Sequence, residues 1–179
     1  MKVSVLVAAL AGVAMVSSAF AQQPAAQPAP TVPSDLALMM VQEAVLKCRA
    51  DGFKVAARVV DAANVEKAAL REDGAQNIHI EYAQAKINYV LLTGRASGTN
   101  PEGAPTTIKG AGPKQSALGG ALGTDASGKL YAGLDAGGAL PIMSGGTMIG
   151  VIGVGGAPGP AKDIACAAAG LAKVADKLK

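Results

Sequence analysis

A small group of residues that can ligate a metal or move a proton lies within one predicted helix. The apolar residues of the segment 78–92 recur at helical spacing and therefore predict a helix. His79, the single histidine of the chain, shares a face of that helix with Tyr82 and Lys86, and Glu81 is nearby. Because an imidazole both ligates metals and exchanges protons near neutral pH, His79 could belong to a metal site or to an acid–base site.

The acid–base interpretation is a cofactor-free enzyme of the lyase or isomerase type. His79, Glu81 and Tyr82 could transfer a proton on a small oxygenated metabolite, and Glu72 with Asp73 is a second carboxylate pair. A hydrolase with a Ser–His–Asp triad is not supported, because no serine lies in a nucleophile-elbow motif. Nothing in the sequence selects a substrate for such an enzyme.

The segment 137–159 is rich in glycine, yet it does not form a nucleotide-binding loop. It lacks the P-loop pattern, and Pro158 stands where the dinucleotide-binding pattern needs its third glycine. Asp163 would also repel a phosphate at the start of the helix that follows. The segment instead predicts a tight hairpin, in which Gly150 and Gly153 leave one strand face bare so that another backbone or a flat ligand can come close.

The rest of the chain predicts helices and antiparallel strands. The turn of the first hairpin is expected at 61–64, because Asn64 tolerates a positive φ angle. The segment 96–128 is plain in composition, and 114–123 could form a short helix there. The predicted elements are a helix over 34–50 ended by Asp51 and Gly52, a hairpin over 55–71, a helix over 78–92 ended by Gly94, strands over 138–143 and 147–154, and a last helix from Pro160.

The first 21 residues have the form of a secretory signal peptide. Lys2 precedes an uncharged apolar run, and small residues precede the predicted cleavage site after Ala21. The segment 22–33 is rich in Pro, Ala and Gln and predicts a tether to a domain over 34–179. The protein is therefore predicted to be secreted, in the periplasm, with no integral membrane segment after cleavage.

Net charge bears on the class of partner, and the two cysteines bear on disulfide formation. The net charge is +3, or +2 without Lys2, and the chain has only two Phe and three Tyr. This near-neutral balance, with no basic run, argues against a nucleic-acid partner. Cys48 and Cys166 lie on the first and last predicted helices, where they could form one disulfide in an oxidising compartment. The alternative is two small buried thiols.

Three motifs together resemble one known family. They are VVDAANVEKAALREDGA (59–75), AQAKINY (83–89) and GGALPIMSGGTMIGVIGVGGAPGPAKDIACAAAG (137–170). In this order they resemble the GlcG/HbpS-like family, also called the haem-degrading-domain family, over about residues 35–179. The resemblance implies an α+β fold with an antiparallel sheet of about five strands and helices packed on it, a profilin/PAS-like sandwich, assembled as a homo-oligomer. The fold is implied more strongly than the function, because one fold hosts many functions.

Haem is the ligand that this resemblance implies. The chain is predicted to be a secreted haem- or tetrapyrrole-binding protein, in haem sequestration or redox sensing, with haem b as its cofactor. Such a site needs an axial ligand, an apolar slot and cations for the propionates. His79 is predicted as the iron ligand, Lys86 or Arg71 as the cation, and the strand face of Gly150 and Gly153 as part of the pocket, which an oligomer interface could complete.

Several alternatives stay open. Arg71 and Asp73 match family positions and either line the pocket or form a local ion pair at the corner before the His79 helix. His79 itself stands where many members have Ser or Thr, and the segment 96–136 is longer than usual. His79 could be an exposed residue near a helix N-terminus, and the protein could be a structural or signalling partner of a membrane complex.

Overall fold

Three α-helices and six strands make up the regular structure of the residues described. A computed structural model describes residues 31–98, 107–108, 133–134 and 136–178. The helices are α1 (Ser34–Ala50), α2 (Ile78–Thr93) and α3 (Pro160–Ala172), and a 3-10 turn (Ala175–Lys177) follows α3. The strands are β1 (Ala56–Asp61), β2 (Glu66–Arg71), β3 (Thr107–Ile108), β4 (Gly133–Leu134), β5 (Ala139–Ser144) and β6 (Thr147–Gly155).

Four strands form one antiparallel sheet in the order β2–β1–β6–β5. β1 pairs with β2 on one side and with residues 150–155 of β6 on the other. β5 and β6 form a hairpin that turns at Gly145 and Gly146. β3 and β4 pair separately as a two-stranded ribbon. The predicted α+β architecture is confirmed, with four strands in the main sheet rather than about five.

The turn between β1 and β2 shows how local side chains specify the hairpin. Asp61 Oδ1 accepts hydrogen bonds from the backbone N–H groups of Ala63 and Val65, each at 2.9 Å. Asn64 has a φ angle of 64°, in the left-handed region that asparagine adopts more readily than most residues. The predicted turn and the predicted conformation of Asn64 are confirmed.

Helices α1 and α3 cover one face of the sheet with apolar side chains. Cys48 of α1 and Cys166 of α3 form a disulfide, with their Cα atoms 5.5 Å apart and a sequence separation of 118 positions. In the chain-entropy model, a disulfide that closes a loop of this length lowers the conformational entropy of the unfolded chain, which stabilises the folded state by about 5 kcal/mol. Of the two alternatives that the sequence left open for these cysteines, the structure has the disulfide. This core includes Leu36, Met40, Val41, Val45, Ala57, Val59, Ile152 and Val154.

Helix α2 covers the opposite face and lies close to β6. A Cβ atom on Gly153 would be 2.8 Å from the carbonyl oxygen of Ala83, and one on Gly155 would be 2.6 Å from the carbonyl oxygen of His79. The helix backbone therefore occupies space that strand side chains would otherwise fill. This close approach places the first turn of α2 at the end of β6.

Some of the predictions fall wholly or partly on residues that the structure does not describe. The predicted signal peptide over 1–21 and the candidate helix over 114–123 lie outside the described residues. Val32, at the end of the predicted tether, is buried in the core beneath α1, so packing begins before residue 34. Among the described helices, none has both the length and the apolar character needed to cross a membrane.

Candidate functional site

An open cleft of about 260 Å³ lies where the first turn of α2, the end of β6 and the start of α3 meet. Small apolar residues make up much of its wall, and a few polar side chains converge on it, which is the composition typical of ligand sites. The residues that line it are His79, Tyr82, Lys86, Ala136, Gly156, Ala157, Gly159, Pro160 and Asp163.

His79 lines this cleft, and its two ring nitrogens differ in their surroundings. Its Nδ1 atom is buried against the backbone of Gly156 and has no hydrogen-bond partner among the described residues. Nε2 is not buried in this way, and no described residue bonds to it, so Nε2 is the nitrogen available to a ligand. Tyr82, one turn along α2, lines the same cleft and is 46% exposed. Glu81 is exposed and lies outside the cleft lining.

The floor of the cleft contains a buried ion pair. Lys86 Nζ donates to Asp163 Oδ2 at 2.6 Å and to the carbonyl oxygen of Val154 at 3.1 Å, and the two charged side chains are only 5% and 4% exposed. The other carboxylate oxygen, Oδ1, accepts from the backbone N–H of Ala157 at 3.0 Å. Burial raises the pKa of the Asp163 carboxyl above its ordinary value, while the nearby Lys86 ammonium opposes that shift.

One protein-family model matches most of this sequence. The model of the haem degrading protein HbpS-like family matches residues 32–172, most of the chain. The chain belongs to this family. A search of curated protein sequences finds no match.

Solved structures agree with this membership. A crystal structure of HbpS is 25% identical in sequence, with a TM-score of 0.63 over 85% of this chain and 96% of that one. A double mutant of HbpS from Streptomyces reticuli is also 25% identical, with a TM-score of 0.59 over 92% of this chain and 97% of that one. A PduOC:heme complex is 20% identical, with a TM-score of 0.60 over 80% and 94% of the two chains; at that identity the likeness concerns the fold alone.

Two residues predicted to contact a ligand lie outside the cleft of this HbpS-like chain. Arg71 and Asp73 are exposed, and Arg71 donates a hydrogen bond to the carbonyl oxygen of Ala75. The ion pair at this corner joins Arg49 and Glu72 instead, through two hydrogen bonds of 2.8 and 2.9 Å. The role of Arg71 and Asp73 toward a ligand stays a prediction.

Arg71 nevertheless lies at the end of the sheet that carries the cleft. It is opposite Ala56 of β1, which is opposite Gly155 of β6. Two strand spacings of about 4.8 Å each separate Arg71 from β6. A ligand that extended beyond the cleft across this end of the sheet would approach its guanidinium group.

Gly150 and Gly153 are buried and do not line the cleft. A Cβ atom on Gly150 would meet Val32, and one on Gly153 would meet Ile87 and Ala83. Val32 belongs to the α1/α3 cluster, whereas Ala83 and Ile87 belong to α2, so the two glycines face opposite sides of the sheet. The prediction that they leave one strand face bare is therefore wrong, and α2 approaches the strand at Gly153 only. Their proposed contact with a ligand stays a prediction, and the space beside them is filled by the chain itself.

Sequence reasoning did not find the roles of Asp163 and Gly156. Asp163 is noticeable as the acidic residue in the first turn of α3, where a helix dipole alone explains it. Its partner Lys86 is 77 positions away, so no local spacing connects the two. Gly156 is one glycine among many in its segment, and only the packing of His79 against it distinguishes it.

Proposed function

We propose that this chain binds haem in the cleft, with His79 Nε2 as the axial ligand of the iron. The observation that carries the proposal is the position of the only histidine, which lines an open cleft with Nδ1 buried and with Nε2 not bonded to any described residue. Family membership and a structural relative solved as a haem complex support it. Bound haem b would supply the redox chemistry of its iron, for sequestration or redox sensing, in a protein that we propose is exported to the periplasm.

The size of the cleft bears on how a haem would lie in it. Pockets that enclose a drug-sized ligand have volumes of roughly 300–1,000 Å³, and this cleft has about 260 Å³. The described residues of one chain would therefore offer a wall and an axial ligand, not an enclosure. Tyr82 would contribute an exposed aromatic surface to the macrocycle. We propose that a second copy of the chain covers the open side, as in a homo-oligomer.

The charge of the propionates has to be balanced outside the floor of the cleft. Lys86 already pairs with Asp163 and is buried, so its charge is compensated within the protein. Arg71 is exposed at the same end of the sheet. We propose Arg71, rather than Lys86, as the partner of a propionate.

A haemin titration followed by Soret absorbance tests the proposal. The wild-type chain should give a saturable shift, and His79→Ala should abolish it. Gln42→Ala, an exposed site on α1, is the control and should bind like the wild type. A shift that survives in His79→Ala would move the ligand elsewhere, and the absence of a shift in the wild type would overturn haem binding.

A further inference from the structure

The imidazole of His79 is held by backbone rather than by a hydrogen bond. A Cβ atom on Gly156 would come within 2.9 Å of three imidazole ring atoms, so the Gly156 backbone lies directly against the ring. Gly156 has a φ angle of 121°, which side-chain-bearing residues rarely adopt. The orientation of Nε2 therefore depends on where the turn after β6 holds Gly156.

Two hydrogen bonds from the floor of the cleft hold that turn on either side of Gly156. Before it, the carbonyl oxygen of Val154 accepts from Lys86 Nζ at 3.1 Å. After it, the N–H of Ala157 donates to Asp163 Oδ1 at 3.0 Å. The 2.6 Å bond between Lys86 and Asp163 joins these two attachments. The ion pair thus ties α2, the end of β6 and α3 together around the turn.

We infer that Asp163 is a positioning residue for His79: by accepting a hydrogen bond from Ala157 N–H, it keeps Gly156 against the imidazole and so fixes the orientation of the ring that lines the cleft. The inference deepens the proposed function, on which its importance rests. It concerns the ring in the ligand-free protein, however, and can be tested there.

A purely stabilising role would not require charged residues at this floor. Buried ion pairs can often be replaced by apolar residues of similar volume with no loss of stability, because desolvation offsets the attraction between the charges. The hydrogen bond that Asp163 accepts from Ala157 N–H cannot be replaced in this way, because an apolar side chain has no acceptor. The attraction between the charges and the hydrogen bond accepted from Ala157 can therefore be separated. The variants for this purpose all lack the charges of Lys86 and Asp163 and differ in whether the acceptor is kept.

The matched variants are Lys86→Met/Asp163→Asn and Lys86→Met/Asp163→Leu. Both remove the two buried charges, but only the first keeps a side-chain oxygen that can accept from Ala157 N–H. Lys86→Met/Asp163→Ala is a second variant without the acceptor, with a smaller side chain. Circular dichroism and the retained disulfide report whether each variant folds.

The measurement is NMR of the single histidine, whose imidazole signals need no assignment among several. In the wild type we expect nuclear Overhauser contacts between the imidazole protons and the Gly156 Hα protons. They should persist in the asparagine variant and disappear in the leucine and alanine variants. Their absence from the folded wild type, or their persistence in a folded variant without the acceptor, would overturn the inference.

Haemin affinity provides the second measurement. Substituting a group that orients a metal ligand typically lowers affinity by about 10- to 100-fold, and we expect a loss of this size in the leucine variant but not in the asparagine variant. Unfolding of both acceptor-free variants beside a folded asparagine variant would assign the pair to stability and overturn the positioning role. A wild type that shows the NMR contacts but binds no haemin would leave the positioning intact and reject the proposed function.

Discussion

The two faces of the sheet differ in what they bury. The α1/α3 face is covered by an apolar cluster and closed by the Cys48–Cys166 disulfide. The α2 face has fewer apolar residues in its cluster. Buried polar side chains lie on α2, namely Gln84, Lys86 and Asn88, and Asp163 reaches the same end from the start of α3. The first face is held by apolar contacts and the disulfide, whereas the second is also held by buried hydrogen bonds and an ion pair at the cleft.

Buried amide side chains on α2 also form hydrogen bonds away from the cleft. Gln84 donates to Asn64 at 3.0 Å and to Asn88 at 2.8 Å, which attaches α2 to the turn between β1 and β2. Buried polar groups need such partners, and a satisfied network fixes one arrangement more strictly than apolar contacts do. Helix α2 is therefore oriented by specific hydrogen bonds near the hairpin turn and by the ion pair at the cleft.

The largest expected effect comes from breaking the ion pair on one side only. Asp163→Ala should lower the free energy of unfolding by about 3–5 kcal/mol, because it leaves the Lys86 ammonium buried without its partner. Urea unfolding measures this loss. Asp176→Ala, at an exposed site, should change the free energy of unfolding by no more than about 0.5 kcal/mol. Equal effects of the two substitutions would contradict the importance of the pair.

Removing the disulfide tests the division between the faces. Cys48→Ala/Cys166→Ala should lower the free energy of unfolding by about 2–5 kcal/mol. Haemin affinity should stay unchanged, because neither cysteine lines the cleft. Urea unfolding and the Soret titration on the same sample separate the two effects. A variant that loses haemin binding while still folded would show that the faces are not independent.

Two glycines of one turn sharpen the comparison within the cleft. Gly156 and Gly159 have φ angles of 121° and 109°, so alanine is similarly strained at both. A Cβ atom on Gly159 meets nothing within 4 Å, whereas one on Gly156 meets the His79 ring. Gly156→Ala should therefore cost about 1–3 kcal/mol more than Gly159→Ala in urea unfolding. Equal costs would mean that the ring is not held by Gly156.

How far the sequence predicts this molecule depends on the range of the interactions. The turn at Asn64 and the helix end at Gly94 follow from local backbone preferences, and both residues have the expected positive φ angles. The pairing of Lys86 with Asp163 follows from the packing of α2 against α3, which no local pattern encodes. The same holds for Gly153 and Gly155, which leave room for the backbone of α2, a helix that is distant in sequence.

The smallest expected effect is a pH dependence of stability. The raised pKa of Asp163 means that, between the unfolded and folded pKa values, the folded chain binds more protons than the unfolded chain. This contribution to stability is therefore present at low pH and is lost as the pH rises through the folded pKa. The stability of the wild type relative to Lys86→Met/Asp163→Asn should grow on acidification from pH 7. A relative loss in urea unfolding would contradict the direction of the shift.

The most direct test of His79 as the ligand is rescue of a His79→Gly variant by free imidazole. With haemin present, the variant should lack the wild-type Soret spectrum and regain it when imidazole is added, because the small ligand can occupy the space of the missing ring. A wild-type spectrum in His79→Gly without imidazole would contradict the account.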